Sequence, residues 1–141
     1  EDCLLFTSDV NGPIEEDHAD KIIGMKPDHL ILDGPATYLL GYILSYKNLG
    51  RAILNIRRII KDSFADPIIL DHHLLRDYRY MDLLKPVYEC AENKGITLCC
   101  ASRILGEEPM VLQGYRKNGP TKWKMWKPLS LEEVKKLVVA T

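Results

Sequence analysis

The stretch DPIILDHHLLRD, residues 66–77, decides how this chain is read. Pro67, Ile68, Ile69 and Leu70 form a short apolar run that ends abruptly in Asp71, His72 and His73. A continuous apolar run of this length predicts a strand of a parallel sheet, buried on both faces. Carboxylate oxygens and imidazole nitrogens are the donors that hold zinc, manganese or iron. A lone histidine here would more often be structural, but Asp-His-His closing an apolar strand favours a metal site.

Three other runs have the same form: CLLFTSD (3–9), DHLILDG (28–34) and GITLCCAS (95–102). Helical patterns lie between the four. ATYLLGYILSYK (36–47) is almost wholly apolar and is expected to be helical. GRAILNIRRIIKD (50–62) puts Ile53, Ile56, Ile59 and Ile60 on one stripe, with Arg57, Arg58 and Lys61 off it. MDLLKPVYECAENKG (81–95) ends at Gly95, a C-cap signal, and Pro86 restricts where its helix begins. Short helices are expected near 101–105 and 109–117, with Gly119-Pro120 breaking the chain. Ser130-Leu131-Glu132-Glu133 is a capping box opening a last helix to about residue 139. The alternation makes the chain α/β. It reads as a single domain or half-domain over 1–141, with a strand-helix core to 106 and a C-terminal helical extension over 107–141.

In open α/β sheets, ligands bind beyond the carboxyl ends of the strands. Three of these runs end in an acid: Asp9 (after Ser8), Asp33 and Asp71, the last followed by His72 and His73. Parallel strands would bring those ends together. Such an acid is often only a helix cap or turn former, and for Asp33 that reading stands level with a role in the site. A metal held there would lower the pKa of bound water to near 7 and supply hydroxide for hydrolysis. Gly-Pro follows two of the acids, in NGP and GPATY, and indicates tight, stiff turns beside the site.

The net charge of −1 nominates neither nucleic acid nor a membrane surface as partner. No apolar run approaches the roughly 20 residues that cross a bilayer. Glu1 and Asp2 replace the basic start of a signal peptide. Cys3, Cys90, Cys99 and Cys100 lack C-x-x-C spacing and read as free thiols in a reducing cytoplasm. The absence of an initiator Met, with an apolar run from Cys3, hints at truncation or processing. KWKMWK (122–127) interleaves lysines and tryptophans, as single-stranded nucleic-acid binders do, but a packing segment is the commoner cause.

Two families resemble these motifs. PIILDHH is similar to the motif of the DHH manganese phosphoesterases, whose first Asp-x-Asp motif is matched here by Asp9 alone. FTSDVNGPI (6–14), PDHLILDGPATYL (27–39) and IILDHHLLRD (68–77) look like the second half of a group of uncharacterised archaeal metallo-hydrolases in the metallo-β-lactamase superfamily. CASRILGEEPMVLQGYRK (100–117) resembles that group more loosely.

The second resemblance implies one αβ half of an αββα sandwich, with a mixed sheet backed by helices. It implies that Asp9 bridges two zinc ions and that His72, rather than His73, binds one, with manganese or iron as alternatives. Asp33, Asp71, His73, Arg76 and Ser8 would support the metals or the substrate, Asp71 by orienting an imidazole. The superfamily's H-x-H-x-D-H motif is absent, and His18 and His29 match nothing. The partner expected is therefore an N-terminal half carrying that motif, covering an apolar sheet face that a monomer would not expose. Self-association is the alternative. The complete protein is expected to be a cytoplasmic hydrolase of phosphodiester or RNA-like substrates, and this chain alone a weak or dead catalyst. A DHH-type phosphoesterase and a non-catalytic interaction module are the other readings.

Overall fold

The helix spanning residues 46–62 is the centre of the molecule because its sequence is amphipathic along its whole length. A computed structural model describes residues 1–120 and 127–139. It contains four strands, β1 (Leu4–Phe6), β2 (His29–Asp33), β3 (Ile68–Asp71) and β4 (Leu98–Cys99). The helices are α1 (Glu16–Gly24), α2 (Tyr46–Asp62), α3 (Tyr80–Leu83), α4 (Lys85–Lys94), α5 (Ala101–Ile104), α6 (Met110–Asn118) and α7 (Leu131–Val139). Two 3-10 segments, Thr37–Leu39 and His72–Arg76, follow β2 and β3.

On α2, Leu49, Ala52, Ile53, Ile56, Ile59 and Ile60 recur at helical spacing and are all fully buried. This helix packs on α1, α4 and α7. Gly50 lets α7 approach closely, since a Cβ there would lie 2.8 Å from Val138 Cγ2. Local signals set the ends of the helices. Ser45 Oγ accepts the Asn48 N–H at 3.1 Å to start α2. Gly95 ends α4 in the left-handed conformation, at φ +76°. The capping box of α7 is formed in both directions: Glu133 N–H donates to Ser130 Oγ at 3.2 Å, and Ser130 N–H to the Glu133 carboxylate at 2.8 Å.

Two sequence expectations fail here. Residues 36–47 are not one helix. They form the Thr37–Leu39 turn and a loop in which Gly41 takes φ +84°, and Ser45 then caps a new helix. Ala36 and Leu44 of that segment are buried and Leu39 and Leu40 pack against the core, while Tyr42 and Ile43 are left exposed. The mixed sheet implied by the resemblance is not formed either: all three pairings are parallel, as the apolar runs themselves predicted.

The strands lie in the order β1-β2-β3-β4, which never reverses. Right-handed crossovers applied to such an order place every crossover helix on the same face of the sheet. Burial agrees. Leu30, Leu32, Ile68 and Leu70 point into the helical layer and are fully buried. On the opposite face Leu4 and Phe6 remain 62% and 66% exposed, and Ile31, Ile69 and Cys99 are half-buried. The expectation of strands buried on both faces is thus met on one face only. Among the described residues, no helix is long and apolar enough to cross a membrane.

Candidate metal centre

The parallel register sets the carboxyl ends of β2 and β3 side by side, pairing Asp33 with Asp71. The turn after β1 brings Asp9 to the same rim, with Ser8 in the left-handed region at φ 56°. His72 is also left-handed, at φ 65°. A β-strand cannot continue through such a residue, so the chain turns into the 3-10 segment there. Asp71 holds that turn: its carboxylate accepts the His72 N–H at 2.7 Å and the Ala101 N–H at 2.6 Å. Asp71 therefore orients the backbone of the site and the start of α5, not an imidazole.

Asp33 holds the imidazole instead. Its side chain is 2% exposed, and its oxygens lie 3.0 and 3.2 Å from His73 Nδ1. It also accepts the Asn11 N–H at 2.9 Å and the His73 N–H at 3.3 Å. A carboxylate so placed favours the tautomer with a proton on Nδ1, which leaves the Nε2 lone pair of His73 for another partner. Asp9 Oδ1 meets His72 Nε2 at 2.9 Å, and lies 3.8 Å from His73 Nδ1. One ligand atom from each of Asp9, His72 and His73 falls within a set whose members are all within 4.8 Å of one another.

These residues fit a divalent ion in spacing and in kind. Ligand atoms about 2.0–2.2 Å from a tetrahedral metal are about 3.3–3.6 Å apart. Asp9 Oδ1 and His72 Nε2, 2.9 Å apart, come near that value. Three protein donors and an open position are what a catalytic ion uses. The structure thus brings both histidines to the cluster. It leaves His18 in a groove between α1 and β1. His29 sits at the opposite end of the sheet, 3.7 Å from Asp2.

A cleft of about 430 Å³ runs from the cluster onto the open sheet face. Phe6, Ile31 and Ile69 form its apolar floor, and Ser8, Asp9, Asp71 and His72 its polar end. Arg76 ends the His72–Arg76 segment, and its Nη1 donates to the Tyr38 hydroxyl at 3.1 Å. Sequence reasoning missed Tyr38 because it lay in the segment expected to be helical. Gly34-Pro35 directly after Asp33, and Gly41 soon after, were the signals against that helix. The KWKMWK motif lies outside the described residues except for Lys127, which is 3.7 Å from Glu133.

The chain is 41% identical over 114 residues to a UPF0282 protein of Sulfurisphaera tokodaii. It is 38% identical over the same length to one from Saccharolobus islandicus, and 41% identical to one from Sulfolobus acidocaldarius. Each alignment covers 81% of this chain and 37% of the relative, so the chain spans well under half of the curated relatives it matches. No family model matches, and no solved structure matches. These findings overturn the expected membership of the metallo-β-lactamase superfamily, because the relatives carry only the name of an archaeal protein group. The roles lent by that resemblance, a bridging Asp9 and a preferred His72 among them, no longer have its support.

Proposed function

We propose that this chain is one helix-backed layer of a metal-dependent hydrolase and supplies one wall of its metal centre. The carrying observation is the cluster of Asp9, His72 and His73, with His73 backed by the buried carboxylate of Asp33. These residues would hold zinc, or manganese or iron, all of which accept nitrogen and oxygen donors. When bound, such an ion supplies hydroxide near neutral pH. Asp33 fixes the His73 ring, and Asp71 fixes the backbone that presents His72. A phosphodiester, RNA included, is the favoured substrate bond, because the cationic Arg76 lies on the segment that carries both histidines.

The open sheet face supports a two-layer sandwich as the complete fold. Parallel sheets are almost always covered on both faces. Its proposed cover is the remainder of a longer polypeptide, as in relatives of which this chain spans 37%. That layer would bring further donors, enough for a second ion. Four unpaired cysteines suit a cytoplasmic setting.

Metal titration with hydrolysis of bis(4-nitrophenyl) phosphate tests the proposal. The chain alone is expected to bind one equivalent of zinc or less, loosely, with little turnover. Adding the missing region of a relative should give tight binding and activity that His72→Ala and His73→Ala abolish. Tight manganese binding and activity in the chain alone would favour the DHH-type phosphoesterase. No metal under either condition would leave an interaction module, and a homodimer without added protein would name a different cover for the sheet.

A further inference from the structure

We infer that Tyr38 and Arg76 form a prebuilt anion-binding pair that receives a phosphate group of the substrate beside the metal cluster. In a 3-10 helix, side chains three residues apart eclipse one another, about 6 Å apart along the axis. His73 and Arg76 stand in that relation within the His72–Arg76 segment. Arg76 therefore springs from the same face of that turn as a histidine of the cluster.

The cation is exposed and has no carboxylate partner among the described residues, although Asp9, Asp33, Asp71 and Asp77 all lie on adjoining segments. Its neighbours are the Tyr38 hydroxyl at 3.1 Å and the Tyr38 ring, whose centroid is 5.6 Å from Cζ. The hydroxyl accepts from Arg76 and so keeps its own O–H to donate elsewhere. Arg76 retains further N–H donors in its planar fork. Converging donors on a positive group suit an oxyanion and exclude a cation. A guanidinium fork matches phosphate by paired, charge-assisted hydrogen bonds.

The pair is also held in place from behind. Asp77 is fully buried and grips Arg79, with Nε at 3.1 Å and Nη2 at 2.9 Å. Arg79 Nη2 donates in turn to the Thr37 carbonyl at 3.2 Å. The turn carrying Tyr38 is thus tied to the segment carrying Arg76 through a buried ion pair, besides the direct Arg76–Tyr38 bond. Donors fixed before binding lose less entropy when the anion arrives.

The inference rests on the hydrolase reading for the reaction served, but not for the binding itself. Phenyl phosphate and inorganic phosphate titrated into the full chain in EDTA, followed by NMR shifts, test it without metal. A charge-assisted hydrogen bond is among the strong ones, so Arg76→Met should weaken binding about 10–100-fold. Tyr38→Phe should weaken it less, and Arg76→Lys should restore only part of the loss. Zinc affinity, read separately, should stay unchanged in all three variants, which also shows that the cluster remains folded. Phosphate binding that is absent, or indifferent to Arg76→Met, overturns the inference whatever the metal result. Sensitive phosphate binding in a chain that never takes up metal would instead sink the hydrolase reading and leave the pair standing.

Discussion

The two faces of the sheet are made from the same kinds of residue and have opposite fates. On one, Leu30, Leu32, Ile68 and Leu70 meet a wall of isoleucines from α2. On the other, Leu4 and Phe6 stand in the open, and the half-buried Ile31 and Ile69 floor a cleft leading to the cluster of Asp9 and the two histidines. Composition does not separate them. The difference comes from strand order and handedness, which send every crossover helix to the same side. Buried side chains are concentrated on the closed face, and the candidate metal-binding residues at the rim of the open one.

That contrast can be broken most directly by a pair of truncations read by chemical denaturation. Ile56→Ala, on the closed side, should cost about 2–5 kcal/mol, because a fully buried side chain leaves a cavity. Phe6→Ala, on the open side, should change the stability of this chain by about 0.5 kcal/mol or less. Equal losses would mean that something already covers Phe6. With the proposed second layer present, the cost of Phe6→Ala should rise toward the buried range.

A smaller effect sharpens the chemical side. Asp33→Asn keeps the shape but removes the charge that holds His73, and should lower zinc affinity about 10–100-fold by calorimetry. An unchanged affinity would show that His73 is not a ligand, leaving Asp9 and His72 as donors.

The least of the three is a pH effect on the closed side. Burial, with Cys100 beside it, pushes Tyr80 up to about 12 from the usual phenol value of 10.0. The folded chain therefore keeps a proton that the unfolded chain releases between those values. Its contribution is fully present below pH 10 and is lost as pH rises toward about 12. Tyr88 is shifted in the same direction, chiefly by burial. Tyr80→Phe should flatten the fall in stability across that window, as measured by urea midpoints, and an unaltered slope would count against the burial of its hydroxyl.

Much of this was legible in the residues. Continuous apolar runs ending in Asp33 and Asp71 marked the strands. Ser130 with Glu133, and Gly95, marked helix ends that the structure forms as written. Residues 36–47 were not legible, because an apolar loop packed only in part and an apolar helix have the same composition. Tyr38 was lost with that segment. The choice between His72 and His73 was also closed to sequence, since neighbouring histidines differ only in what their rings meet. Asp33 and Asp9 answer for one each.

The sequence by itself determined the α/β class, the positions of the strand-end acids and histidines, and the amphipathic helix that closes one face. These follow from local periodicity and turn chemistry, which act over a few residues. The apolar runs also pointed to parallel strands with converging acid ends; only the tertiary structure decided the strand order, that one face stays open, and which ring each carboxylate meets. Those facts depend on register and crossover direction, which join residues far apart in the chain and leave no trace in any one stretch of it. DPIILDHHLLRD supplies two members of the candidate cluster, and the third reaches them only because β1 lies beside β2 and β2 beside β3.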